Sequence, residues 1–486
     1  MKKNSLFVLL ILVLILSCKD TKELKPSNPT QNRLESYLKT CSENGLTGSI
    51  LVAEKGKVLF SDGIGYMDPE KQIPISKSTI FTTGSITKQF TATAILYLAE
   101  LGKLSTTDSI SKFIKNVPED KSGITIHQLL THSSGIIGNL GYGVDFELIE
   151  KDDFLTQVFN APLDFEPGTQ YNYSNVGYSV LGIIIENVTQ TDYESFLQQK
   201  LFFKVGMKTT GYLAPKWDEN EIIHGYKCGE DWGTHLDKWK ATSNQISYHL
   251  KGNGGILSTP LDLYNWFIAL QENKIINQQS YELLTHAHAQ ERPDSDTYYG
   301  YSWLILNSDR KTKIIAHNGS NSVFYADVIV LPEEDVTIIY MTNQMRYDTP
   351  IVAWEIEKLL FDDTYEPSVP KMNKTKHYGE KDGNERLKIV NEFTDMILNK
   401  SSDNTLIEIE TFANNHIPTI NNRNRFKMWV QNLKREFSDF KLKHILEYED
   451  NSYDIILVST NGSITDLTPC FDLQIDDKNQ IVAYGW

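Results

Sequence analysis

The chain has 486 residues, 40% of them apolar and 23% charged, the balance of a globular protein long enough for two or more domains. Its 63 acidic residues against 47 basic ones give a net charge of −16. That balance excludes the broad Lys/Arg surface a nucleic-acid backbone requires, so no nucleic acid is expected as a partner.

Lys2 and Lys3 precede an unbroken apolar run, Leu6 to Leu16. The run is shorter than the roughly 17–25 residues of a membrane span and suits a signal-peptide core. It ends Ile15-Leu16-Ser17-Cys18, which resembles the bacterial lipobox. The resemblance implies lipidation of Cys18, a membrane anchor and a cell-envelope location. Residues 1–17 are then a signal peptide and 18–30 a polar tether. The remaining cysteines, Cys41, Cys228 and Cys470, are far apart and show no zinc-like spacing, which predicts small buried hydrophobes.

Leu34, Tyr37, Leu38 and Cys41 recur at helical spacing. Residues 47–54 and 58–65 read as strands about the Lys55-Gly56-Lys57 turn, a hairpin. Thr83-Gly84-Ser85-Ile86-Thr87-Lys88 then leads into an apolar helix from Gln89 to Gly102. Residues 124–135 predict a short helix, begun near Thr125 and closed by Gly135; His127 and His132 read as structural. Val176 to Val188 suits a buried helix. Thr259 as N-cap, Pro260 at the first helical position and Asp262 in a capping-box place predict a helix to Leu270. The glycine-rich bend 252–255 lacks a phosphate-loop pattern. Strands are expected over 313–319, 323–331 and 336–341, with a closing helix over 354–360. Pro367, Pro370 and several lysines mark 363–383 as a linker. In 384–486 two helices, 384–398 and one carrying Phe426, Trp429, Val430, Leu433 and Phe437, precede four alternating segments, an α+β layout. Trp217, Trp232 and Trp239 fall in the loop 215–244, where they form a small core or an aromatic wall.

Ser85 and Lys88 stand one helical turn apart, so they share a face, and a helix start offers free N–H groups and positive potential. The SxxK spacing alone decides nothing, since Ser36, Ser109, Ser308, Ser368 and Ser438 also have a lysine three residues on. Ser85 is distinguished by the preceding glycine and the apolar helix after it. Tyr173-Ser174-Asn175 is the sole YxN, and His317-Asn318-Gly319 is one of two HxG triplets; the other, at His377, lies in the expected linker. With no GxSxG signal, serine activation falls to lysine and tyrosine, whose free pKa values are about 10.4 and 10. An adjacent ammonium would favour a phenolate.

In this order the three stretches resemble the β-lactamase and penicillin-binding-protein superfamily, in the branch of class C β-lactamases, D-alanyl-D-alanine carboxypeptidases, D-aminopeptidases and esterases. Leu129-Leu-Thr-His-Ser-Ser-Gly135, Phe165-Glu-Pro-Gly168 and Tyr299-Gly300 look similar too, and the likeness runs over roughly 31–362. It implies an α/β (α+β) fold, an antiparallel sheet flanked by helices beside a helical lobe, with the site between. Ser85 would be the nucleophile. Tyr173 would be the general base with Lys88 its partner, or Lys88 itself the base. Asn175 would hold Lys88 and the substrate amide. The N–H groups of Ser85 and Ser320 would form the oxyanion hole, with His317 and Gly319 lining the strand beside the substrate. Histidine in place of the lysine of KTG weakens carboxylate binding and with it β-lactam hydrolysis. The implied activity is hydrolysis of an ester or amide, in a small molecule or a peptidoglycan-like peptide, without metal or cofactor. The alternative is a penicillin-binding receptor or scaffold that does not turn over. The C-terminal unit resembles the NTF2-like accessory domains that follow such hydrolases.

Overall fold

The computed structural model describes residues 29–68, 72–141, 145–227, 230–242, 244–321, 323–345, 349–370, 376–378, 385–398, 405–437, 440–447, 451–459 and 470–485. The expected signal segment, Cys18 and Cys228 lie outside the described residues.

An eight-stranded antiparallel sheet organises the first unit. Its spatial order is Lys57–Ile64, Gly48–Glu54, Val336–Thr342, Phe324–Leu331, Lys313–Asn321, Leu304–Asn307, Tyr298–Tyr299 and Ala289–Gln290. The N-terminal hairpin therefore pairs with the last strand of the sheet, Ser49 opposite Met341 and Glu54 opposite Val336. Every residue of Phe324–Leu331 and Val336–Thr342 is buried, because both faces of these central strands are covered. One face carries the helices Pro29–Glu43 and Ile351–Phe361, where Leu34, Leu38, Val352, Ile356 and Leu359 meet Ile338 and Tyr340. Each such side chain contributes roughly 1.5–3 kcal/mol by leaving water. The first of these helices starts at Pro29, within the expected tether.

The other face meets a helical lobe through one large core. At its centre run two helices. Thr87–Glu100 has every residue from Thr87 to Leu96 buried, and Asn175–Thr189 is buried from Val176 to Glu186. Ser85 does not open the first helix itself. It sits in a single 3-10 turn, Gly84–Ile86, that feeds straight into it, so the one-turn offset from Lys88 survives. The helix Pro260–Gln271 has the expected cap, Thr259 Oγ1 accepting from Asp262 N–H. Asp262 does not complete a capping box, because its carboxylate instead accepts from the N–H and hydroxyl of Thr209 and the hydroxyl of Thr210. Trp232 and Trp239 join the main core, and Trp217 packs against it.

The second unit is a five-stranded antiparallel meander, Lys376–Tyr378, Phe440–Glu447, Ser452–Ser459, Cys470–Ile475 and Ile481–Gly485, with the helices Glu385–Leu398, Thr405–His416 and Ile420–Phe437. Phe393, Phe412 and Phe426 join Val430, Tyr453 and Leu473 in its core. Two elements were not expected. Thr405–His416 carries a weak apolar pattern, and Lys376–Tyr378 is recruited from the linker by pairing with Ile445–Glu447. Among the described residues no helix is long and apolar enough to cross a membrane.

Candidate active site

The 3-10 turn and the strand Lys313–Asn321 meet through two glycines. Gly84 has φ +49°, and a Cβ there would lie 2.5 Å from Ser320 N. A Cβ on Gly319 would lie 2.1 Å from Thr83 O and 2.5 Å from Ser85 N. Only two hydrogens at these positions let the backbones approach so closely. The approach sets Ser320 N against Gly84 and Ser85 N against Gly319. The strand also presents an open edge there. Lys313–Ala316 pair with Leu304–Asn307 on one side, whereas His317–Asn321 are paired only with Phe324–Val328.

Lys88 is fully buried. Its Nζ lies 3.0 Å from Ser85 Oγ, 2.7 Å from Asn175 Oδ1 and 2.7 Å from the carbonyl oxygen of Asn253. The bend 252–255 thus has a definite use. Gly252 O accepts from Thr91 Oγ1, Asn253 O accepts from Lys88, and Gly255 N–H donates to Gly84 O. Asn175 opens its helix behind the N-cap Ser174 and also donates from Nδ2 to Asn139 Oδ1. Of the other SxxK lysines, Lys39, Lys112 and Lys311 are exposed. Burial with no carboxylate in contact pushes the Lys88 ammonium well below its usual range, an effect that Asp145 opposes at longer range.

Tyr173 lies with its ring centroid 4.8 Å from Lys88 Nζ and its hydroxyl close enough to Ser85 for the serine to act on its acidity. Burial raises its pKa, the Ser85 contact opposes the rise, and Glu291 adds to it. The phenolate expected from the lysine charge is therefore absent in the resting site: desolvation outweighs any attraction to the ammonium. His132, expected to be structural, packs its ring 4.2 Å from that of Tyr173 and accepts the Ser174 N–H at Nδ1. Its Nε2 has no partner among the described residues.

His317 is 6% exposed. Its Nδ1 faces the Asn318 carbonyl at 2.5 Å and its Nε2 faces the Tyr299 hydroxyl at 2.8 Å. The carbonyl can only accept, so Nδ1 carries the proton and Nε2 accepts from the tyrosine. Burial, with the Lys88 charge adding to it, lowers this imidazole to about 3. The ring is neutral and both nitrogens are occupied. Chain order did not reveal Asn139, Asn253 or Asp145, whose links to the site run through loops or a backbone carbonyl; Tyr299, quoted above only for its family-like Tyr299-Gly300, bonds His317 directly. Among the described residues no group of three or more His, Cys, Asp or Glu is placed to hold a metal.

A buried lysine on a half-buried serine, a tyrosine ring beside that lysine and an unpaired strand edge next to the serine form an arrangement that fits a serine hydrolase. The beta-lactamase family model matches residues 34–360, and the chain belongs to that family. Penicillin-binding protein 4* of Bacillus subtilis (strain 168) is 26% identical over 364 residues, 71% of this chain and 80% of its own. A penicillin binding protein from Bacillus halodurans superposes with TM-score 0.56 at 26% identity, over 66% of this chain and 97% of its own. An octameric penicillin-binding protein homologue from Pyrococcus abyssi shares the fold, with TM-score 0.60 at 21% identity over 92% of this chain and 96% of its own.

Proposed function

We propose that the protein hydrolyses an ester or amide through an acyl-enzyme on Ser85. The observation that carries this is the contact of the fully buried Lys88 Nζ with the half-buried Ser85 Oγ at 3.0 Å. A neutral Lys88 spends two N–H groups on Asn175 Oδ1 and Asn253 O, which leaves its lone pair to accept the Ser85 proton. Ser85 Oγ attacks the substrate carbonyl, and the N–H groups of Ser85 and Ser320 receive the oxyanion. Tyr173, a phenol at rest, gives its proton to the leaving group as the acyl–leaving-group bond breaks, and recovers one from Lys88. Water then adds to the Ser85 ester, releasing the acid and restoring the serine hydroxyl.

Two features bear on the substrate. The open strand edge suits an acyl group that continues the sheet by backbone-like hydrogen bonds. The neutral, fully bonded His317 supplies no cation for a carboxylate, so esters and uncharged amides suit the site better than penicillins. Intact-mass measurement after treatment with a fluorophosphonate tests the nucleophile. One adduct is expected on the native chain and none on Ser85→Ala; an equal adduct on both sinks the assignment. We also place the protein in the cell envelope, held to the membrane by a lipid on Cys18, from the lipobox-like Leu16-Ser17-Cys18. Cys18→Ser should then move it from the membrane fraction to the soluble fraction, and an unchanged distribution refutes the anchor.

A further inference from the structure

The amine that faces Ser85 is held by a carbonyl, and that carbonyl is itself held by a tyrosine outside the site. Asn253 O accepts from Lys88 Nζ at 2.7 Å. It is the middle of three consecutive carbonyls that each take a side-chain donor. Gly252 O accepts from Thr91 Oγ1 at 2.6 Å, and Gly254 O accepts from the Tyr212 hydroxyl at 2.8 Å. The same hydroxyl accepts the Gly252 N–H at 3.2 Å. One oxygen therefore ties the residues on both sides of Asn253. The Asn253 side chain pins the bend from within, its Nδ2 donating to Ser179 Oγ at 2.8 Å and to His249 O at 2.7 Å.

Tyr212 is fixed at every point. It is fully buried, with its ring 5.8 Å from Trp239 and 6.4 Å from Tyr193. Its own N–H and those of Leu213 and Ala214 converge on one carboxylate oxygen, Glu194 Oε1. Gly211, just before it, exchanges both backbone hydrogen bonds with Leu257, just beyond the bend. Burial keeps the Tyr212 phenol protonated, so a hydrogen is always present for Gly254 O. Tyr193 acts less directly. The Gly252 carbonyl can only accept, so Thr91 spends its proton there and the Tyr193 hydroxyl donates to Thr91 at 2.6 Å. A buried amine needs this fixity. Lys88 has no solvent to replace a lost acceptor, and its N–H groups on Asn175 Oδ1 and Asn253 O turn its lone pair toward Ser85 Oγ.

We propose that Tyr212 is a positioning residue for activation of the serine: its hydroxyl, bridging Gly252 N–H and Gly254 O, sets the Asn253 carbonyl that aims Lys88 at Ser85. This rests on the acyl-enzyme reading above and adds to it a residue that touches neither the substrate nor the reacting atoms. The Asn253 carbonyl favours the ammonium over the amine, since its dipole there meets a full charge. Loosening the carbonyl therefore lowers the pH at which Lys88 sheds its proton, while leaving the amine poorly aimed. The other titratable groups around Lys88 are Tyr173, Tyr178, His132, His317 and, at longer range, Asp145. The Tyr212 hydroxyl bonds none of them, so a moved acid limb in its absence reports the carbonyl.

Tyr212→Phe removes one oxygen and keeps the ring. The rate of Ser85 labelling by a saturating fluorophosphonate is expected to fall about tenfold, the usual effect of one buried hydrogen bond, with the half-saturating concentration unchanged. The acid limb of that rate should move to lower pH. Ser179→Ala, which frees one side of the Asn253 amide, should move rate and limb the same way by less. Tyr37→Phe, which takes a hydroxyl from Ser368 O on the opposite face of the sheet, should lower Tm alone. If Tyr212→Phe lowers Tm while the labelling rate and its acid limb stay, Tyr212 is core only and the proposal falls. A crystal structure of Tyr212→Phe reads the geometry without chemistry: the Lys88–Asn253 contact should open beyond hydrogen-bonding distance, and a contact kept at 2.7 Å overturns the proposal. Equal labelling of the native chain and Ser85→Ala refutes the acyl-enzyme reading instead, and the crystal structure then decides the role of Tyr212.

Discussion

Two helices spend their polar residues in opposite ways. Ile420–Phe437 is amphipathic: Phe426, Val430 and Leu433 are buried, while Asn422, Arg425 and Met428 stay in solvent. Thr87–Glu100 has no solvent face over its first ten residues, and those residues include Lys88, Gln89, Thr91 and Thr93. The first helix can be packed by any apolar surface of matching shape. The second is tolerable only where neighbours supply the hydrogen bonds that water would have made. Its neighbours do so at Lys88 and Thr91, through Asn175 and the bend 252–255. Gln89 has no partner for either side-chain polar atom among the described residues. The C-terminal helix buries side chains as core, whereas the helix after Ser85 buries a lysine that only specific hydrogen-bond partners make tolerable.

Three substitutions would break or sharpen that contrast. The largest effect is expected at Lys88. Lys88→Met should lower kcat/KM for p-nitrophenyl acetate by about 10²–10⁴, the range for loss of a general base. It should also change the pH dependence in a defined direction. With its folded pKa held below the ordinary value of 10.5, the ammonium's burial cost is present in full below that folded pKa. The cost is relieved as pH rises towards the unfolded value, because the unfolded chain there binds more protons. The native chain should therefore gain stability relative to Lys88→Met as pH rises, read as the difference in Tm between the two. Its kcat/KM should also rise with pH as the amine deprotonates. An unchanged acid limb in Lys88→Met would assign the base elsewhere.

Phe426→Ala comes next. Phe426 is fully buried against Phe393, Phe412 and Trp429. Its truncation should cost about 3–5 kcal/mol in urea unfolding of the second unit. Hydrolysis should change little, since Phe426 packs within the second unit's own core; a loss of kcat comparable to that of Lys88→Met would show the two helices to be coupled. The smallest of the three is Gly319→Ala. Its methyl would meet Thr83 O and Ser85 N at 2.1 and 2.5 Å, so strand and turn must part. One oxyanion donor would be displaced, lowering kcat by about 10²–10³. A fall in Tm with unchanged kcat would make that glycine a packing residue only.

Most of the fold was legible because its signals are local. The hairpin turn at Lys55-Gly56, the Thr259-Pro260 helix start and the alternating meander each declare themselves within a few residues. The failures are where tertiary partners decide. Lys376–Tyr378 is a strand because Ile445–Glu447 offers it an edge, and Asp262 leaves its cap because Thr209 and Thr210 are better placed. At the site, Ser85, Lys88, Tyr173, Asn175, His317, Gly319 and Ser320 were candidates through the family resemblance their motifs carry, and the fold brings them together. Their protonation was not readable. Whether Tyr173 is a phenol or His317 a cation depends on how much water each has lost, and water is excluded by chain segments far away in sequence.

By itself, then, the amino-acid sequence determined the order of elements, the family likeness and the residue types on offer for chemistry, since periodicity, caps and motif spacing are properties of neighbouring residues. The tertiary structure alone decided which of the described SxxK pairs has a buried lysine, that Gly84 and Gly319 let the Ser85 turn and the strand Lys313–Asn321 approach, and that Asn175 and Asn253 hold that lysine. Those outcomes depend on close approach and lost solvent, which no stretch of chain carries within itself.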